Sequence, residues 1–176
     1  MSREAFRQAA VAAPDGYGFP TDPGSFLSWS SMETALLASR TYWLGTTSPD
    51  RRPYATPLWA VWVDGALYFD GNPITRWARN LQANPEINVH LEHDGLAVIL
   101  DGTVEDLPTT DADLGARIVG TWTTKYGHGA PLPVERGLFR LRPRRIRAWS
   151  ESLSDGTRWE LETRDGPDTA PSESRA

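Results

Sequence analysis

At 176 residues, 39% of them hydrophobic, the chain suits one domain with a real core, and no apolar run approaches the roughly 20 residues of a membrane helix. It contains no cysteine, which excludes disulfides, thiolate chemistry and Cys-ligated zinc. A net charge of −5 and a pI of about 5.2 give the whole molecule no long-range attraction for nucleic acid.

The N-terminus has no apolar segment followed by a cleavage site, so a cytoplasmic location is the expectation. Residues 1–27 hold Pro14, Gly16, Gly18, Pro20, Pro23 and Gly24 without periodicity and read as an irregular arm. A short helix is expected at about 30–39, with Met32, Leu36 and Leu37 as its apolar side. Thr41 to Thr47 reads as a strand, and the SPDRRP run at 48–53 as a hairpin turn. Tyr54 to Val63 is apolar on both alternating faces, with Leu58, Ala60 and Trp62 on one and Trp59, Val61 and Val63 on the other. A strand buried on both sides belongs in a barrel wall that is itself covered, by a helix or a second subunit. Left bare, one apolar row would meet water, and this row is the basis for expecting a homodimer. Asp64-Gly65 signals a two-residue hairpin, completed by Ala66 to Asp70.

The clearest helix is predicted over 73–83. Asn72 is its expected cap and Pro73 suits the first position, and Ile74, Trp77, Ala78 and Leu81 form a continuous apolar stripe. Glu86 to Glu92 alternates with Ile87, Val89 and Leu91 inward, His93-Asp94-Gly95 turns the chain, and Leu96 to Val104 is a long strand. Thr110 with Asp113 resembles a capping box for a helix carrying Leu114, Ile118 and Trp122 and ending at Gly127. Gly137 to Trp149 gives one more strand, and the polar tail from 166 is expected to be disordered. Strands with single helices inserted fit an antiparallel barrel, not a βαβ sheet.

Chemistry-bearing residues are few. The exposed side of the 73–83 helix carries Thr75, Arg76, Arg79 and Asn80, and its N-terminus offers N–H groups and a partial positive charge, a setting for phosphate. Periodicity alone reads the same side as a solvated polar face. His90, His93 and His128 offer no metal set, because His90 and His93 do not share a face and no third ligand is evident. No G-x-S-x-G elbow is present, and pairs such as Glu105-Asp106 look like a strand end facing water. Six arginines crowd 136–147. With an acidic total and no binding motif they read as an exposed strand face, neutralised by the acidic segment from Ser150 onward.

The run YWLGTTSPDRRPYATPLWAVWVDGALYFDGNPITRWARNLQANPEINVHLE, followed by LAVILDGTVEDL, resembles the pyridoxamine-phosphate-oxidase-like flavin-binding split barrels, and within them the actinobacterial branch that includes deazaflavin-dependent reductases. The elements Lys125–Gly127, Arg140–Trp149 and Thr157–Trp159 match as well, so the resemblance covers roughly 28–160. It implies a mainly β fold, a six-stranded antiparallel split barrel with accessory helices, spanning 28–165, and a dimer with two cofactors at the interface. Carried over by position, Thr56, Pro57, Leu58 and Trp59 flank the ring of FMN or coenzyme F420, and Phe69 and Asp70 lie near the ring and side chain. Thr75, Arg76 and Arg79 hold the phosphate, which now becomes the favoured reading of that helix face. Trp77 stands where flavin oxidases often carry Lys, and the oxidase's Arg-x-His element is not evident, both departures from a pyridoxamine phosphate oxidase proper. Trp149, Arg158 and Trp159 stand in that element's region; in the reductase branch these positions lie over the cofactor, and closure of the partner's pocket is the expectation. The function implied is hydride transfer between FMN or F420 and a small organic substrate, with no acid–base set required of the protein. The alternative is a non-catalytic barrel binding a flavin, haem or another planar ligand.

Overall fold

The structure, a computed structural model, describes residues 6–12, 14, 18, 22–127, 137–151 and 153–161; His128 and the segment 166–176 lie outside them. Alternation places most of the strands. β2 (Tyr42–Thr47), β6 (Glu86–His93) and β7 (Leu96–Leu107) bury every second residue, among them Leu44, Val89, Leu91, Val98 and Leu100, and leave Trp43, Asn88 and His90 outside. Two hairpins close on Asp-Gly pairs: Asp64-Gly65 joins β4 (Ala60–Val63) to β5 (Ala66–Asp70), and Asp94-Gly95 joins β6 to β7. All four residues have positive φ, the backbone of a type I′ turn.

With β1 (Phe6–Ala10), β3 (Pro53–Leu58), β8 (Leu138–Ser150) and β9 (Thr157–Leu161), nine antiparallel strands form one sheet, whose main path runs β1-β9-β8-β7-β6-β2-β3. The branch lies on β8. One of its edges pairs with β7 throughout; the other pairs with β5 through 138–141 and with β9 through 145–148. The register between β7 and β8 shifts at Asp101/Gly102, opposite Pro143. A side chain at position 102 would meet the Arg142 carbonyl at 2.2 Å, so only glycine admits this approach. The sheet does not close, and the fold is the expected split barrel with accessory helices.

α1 (Trp29–Ala38) packs Met32, Ala35 and Leu36 into the main core beside Tyr42, Leu44, Leu67, Phe69 and Ile146. α3 (Ala112–Tyr126) seals a second, smaller core, in which Ile118 and Trp122 meet Val61, Val63, Tyr68 and Leu138. No helix among the described residues is long and apolar enough to cross a membrane.

Several expectations are corrected. Trp59 interrupts the strand expected over 54–63, and the two pieces have different partners: β3 pairs with β2, β4 with β5. The row Val61 and Val63 is covered by α3 of the same chain, so it gives no argument for a second subunit. Residues 6–10, expected to be irregular, pair with β9, itself a strand in a segment read as turns. Thr110 does not cap α3; Asp111 does, accepting from the Leu114 N–H at 2.8 Å. α2 (Arg76–Ala83) starts three residues late because Asn72 caps a preceding turn, accepting from the Ile74 N–H at 3.0 Å, and Thr75 is the helix cap. Ile74 thereby leaves the stripe and stands 76% exposed. Asn80, expected on the solvent side, is buried and donates its amide to Thr46 Oγ1 at 2.9 Å.

Candidate functional site

Position 75 sets the geometry at the head of α2. The Thr75 hydroxyl accepts from the Ala78 N–H at 3.4 Å and donates to the Asn72 carbonyl at 2.8 Å, fixing where the first turn points. Arg76 and Arg79 stand exposed on that turn, and the Arg76 guanidinium lies 5.0 Å from the Tyr54 ring centroid, over β3. Tyr54 was not singled out from sequence; its one signal is that it shares a strand face with Thr56, two residues on. Arg76 is thereby brought to Tyr54, which with Ala55, Asn84, Asn88 and the β8 residues Arg144, Arg145 and Arg147 lines an open groove of about 760 Å³; Thr56, Thr75 and Arg76 are not among its lining residues.

Charge pairing separates the arginines into two groups. Along β8, Arg140 and Arg142 pair with Glu105, Arg144 with Glu86, Arg145 with Glu160 and Arg147 with Asp101. Glu105 is held below the usual carboxylate range, first by its hydrogen bond from Arg140 and then by the charges of Arg140 and Arg142. Among the described residues, neutralisation of this face comes mainly from β6 and β7, and Glu160 is the contribution from the segment after Ser150. Arg76 and Arg79, in contrast, have no carboxylate partner among the described residues.

Not every expected site residue reaches this neighbourhood. Phe69 is fully buried, stacked on Phe139 with centroids 5.7 Å apart, and the Trp77 indole packs against both rings in the main core. Trp59 is 44% exposed but stacks on Tyr126 of α3 at 4.8 Å, turned toward the second core. Trp159 is buried edge-on against Trp29 in its own chain's core, 6.1 Å between centroids, which corrects the expectation that it closes a partner's pocket. Leu58 and Thr56 are half-buried on the core side of β3, with Pro57 exposed on the opposite side. Asp70 ends β5 just before the turn that leads to α2, and Trp149 lines a separate hollow with His93 and Asp94.

Cross-strand register runs Pro57, Trp43, His90, Ile99, Arg147, Arg158 across the outer face. Within one chain Pro57 and Arg158 are thus five strand spacings apart, about 24 Å measured along the curved sheet. No three His, Asp or Glu among the described residues converge to hold a metal.

The family pattern of pyridoxamine 5'-phosphate oxidase matches residues 29–150, from the first residue of α1 to the last of β8. The chain belongs to this family. Comparison with curated proteins finds no match. Among solved structures, a conserved hypothetical protein from Mycobacterium tuberculosis superposes with a TM-score of 0.60 at 22% identity, over 82% of this chain and 95% of its own. An F420 reductase superposes at 0.53 and 22% identity, over 65% of this chain and 94% of its own. The heme storage protein of Vibrio cholerae does so at 0.53 and 19% identity, over 65% and 89%. At these identities the likeness is one of fold: this member of the oxidase family has the family's split barrel.

Proposed function

We propose that the chain binds a phosphorylated flavin or deazaflavin, FMN or coenzyme F420, and works as an oxidoreductase on a small organic substrate. One observation carries the reading: among the described residues the β8 arginines are matched by carboxylates, whereas Arg76 and Arg79, at the first turn of a helix, are not. Unmatched guanidinium groups beside first-turn N–H groups are the donor set a phosphate dianion needs. In this reading Arg76 and Arg79 hold the phosphate, Thr75 fixes the turn, and Tyr54 and Thr56 on β3 flank the path toward the ring. The bound cofactor supplies the hydride chemistry; the chain supplies binding, orientation and exclusion of water. Burial of Trp77, at the position where flavin oxidases often carry Lys, favours the deazaflavin reductase branch over a pyridoxamine phosphate oxidase proper.

The homodimer belongs to the same proposal, now on different grounds. Trp43 is 44% exposed on the outer sheet face and stacks on His90 at 6.5 Å, with Ile99 next in the row. A sheet face bearing an exposed indole is what a second copy would cover.

Denaturing release of bound chromophore from purified protein, with absorbance and mass identification, followed by reconstitution with FMN and with F420, tests the reading. The expected result is one of the two cofactors and steady-state dye reduction by the loaded protein. Haem as the chromophore, or no binding of either cofactor, defeats it; tight binding without turnover reduces the protein to a binding module. Sedimentation should give a dimer, and a stable, cofactor-competent monomer at low micromolar concentration removes that part.

A further inference from the structure

Away from α2, a groove of about 770 Å³ runs between α1 and α3 over β4. Its walls are largely apolar: Leu37 and Ala38 from α1, Trp62 and Val63 from β4, and Gly120 from α3. Leu37 is 49% exposed there, an apolar side chain that its helix does not bury. At one end sit Arg40 and Lys125, the only lysine in the sequence. Lys125 Nζ donates to Tyr42 Oη at 2.6 Å, to the Leu36 carbonyl at 3.2 Å and, more distantly, to the Ala60 carbonyl at 3.4 Å, and Arg40 donates to the Lys125 carbonyl.

Every acceptor around this ammonium is neutral. The Tyr42 phenol on β2 donates to the Leu36 carbonyl, and that of Tyr126 on α3 donates to the Ala60 carbonyl at 2.9 Å. Burial pushes Tyr42 upward, and Tyr126 up to about 12, so neither supplies a negative charge near neutral pH. At the other end of the groove Arg117 is matched by Asp64 and Asp113. Arg40 and Lys125 have no carboxylate partner among the described residues. Burial, and then the charge of Arg40, bring Lys125 down to about 8. An apolar trough ending in two uncompensated cations has the charge and polarity pattern of an amphiphilic anion, reversed.

We propose that this groove is a second ligand site, which takes a small carboxylate with an apolar chain or ring, the carboxylate at Arg40 in the field of Lys125. The apolar body lies over Leu37, Ala38, Trp62 and Val63, and Arg40 keeps guanidinium donors for the carboxylate beyond the one used on the Lys125 carbonyl. Lys125 acts by charge, since its own donors are engaged.

A single lysine makes the test direct: isotope-labelled lysine gives one side-chain signal, followed by NMR while octanoate is added to the full chain. Octanoate should move that signal saturably and raise its titration midpoint above about 8, while acetate at equal concentration should not. Affinity should fall as pH rises through that midpoint, because the neutral amine no longer draws the carboxylate. Gly120→Leu plugs the groove: a Cβ at 120 meets nothing within 4 Å, and leucine is the better helix former, so the fold is kept. That variant, and Arg40→Gln, should each lose about tenfold or more in octanoate affinity. No saturable response, an equal response to acetate, or full octanoate binding by Gly120→Leu overturns the proposal. So does a change in sedimentation of Gly120→Leu with octanoate binding intact, which would make the groove a contact between copies.

Discussion

Replacing Gly71 with alanine tests how the core positions the head of α2. A Cβ at this position would lie 2.0 Å from Trp77 Cζ2; ordinary contact begins at 3.4 Å, so the indole must retreat by about 1.4 Å. Gly71 is not among the residues with positive φ, so alanine is admissible on the backbone and the whole cost is packing. Overpacking of this kind costs about 1–3 kcal/mol. Moving the indole also disturbs its contacts with Phe69 and Phe139, at 5.8 and 5.3 Å between centroids, each worth about 0.5–1.5 kcal/mol. A total of about 2–4 kcal/mol follows, a fall in Tm of about 5–15 °C for a chain of this size. Thermal unfolding of Gly71→Ala, Trp77→Leu and the double variant measures it. Leucine leaves room for the new methyl, so the double variant should cost less than the sum of the singles by about 1 kcal/mol or more. Strict additivity, or a Gly71→Ala protein as stable as the parent, refutes the reasoning.

Arg76→Ala and Arg79→Ala should each weaken FMN or F420 binding by about ten- to hundredfold, read by cofactor fluorescence, with Tm nearly unchanged. Arg142→Ala, on the neutralised face, should leave binding alone, and equal losses from all three would assign the effect to general charge. Lys125 titrates near 8 in the folded chain against 10.5 in the unfolded one, so between those values the unfolded state holds more protons and this group's contribution makes stability rise with pH. Tyr42 and Tyr126 are displaced upward from 10.0, so above about pH 10 the unfolded state loses protons first and stability falls again. Denaturant midpoints against pH should show the rise, and Lys125→Met should flatten it. Truncation after Ser150 removes β9, strips β1 of its partner and bares Trp29; circular dichroism should show loss of the cooperative transition, and a folded truncated dimer would contradict the packing described.

The six strands read from sequence are those with long alternation or Asp-Gly turns, where period and turn chemistry agree. β9 escaped because five residues with two fully buried side chains carry too little pattern, and β1 because its reason for being extended is a partner about 150 positions away. The start of α2 was misplaced since Asn72 and Thr75 are both competent caps, and only the turn between them decides. At the site, Arg76 and Arg79 were legible as exposed residues off an apolar stripe. That they lack carboxylate partners was not, because pairing depends on which strands come to lie beside β8. The same limit explains Phe69, Trp77 and Trp159: an aromatic that packs the core and one that faces a ligand look alike until the sheet is assembled.

The forked edge of β8 makes both cores depend on one late strand. Leu138 closes the smaller core, Phe139 and Leu141 close the larger, and β1 finds its only described partner in β9. With the chain in place only as far as β7, the smaller core lacks α3 and Leu138, the larger has α1 but lacks the β8 side chains, and β1 lacks its described partner. Contacts this distant along the chain slow folding and lengthen the exposure of unpaired edges. Neither core is complete until β8 and β9 have joined the sheet, so this barrel is made by its long-range pairings more than by any local helix.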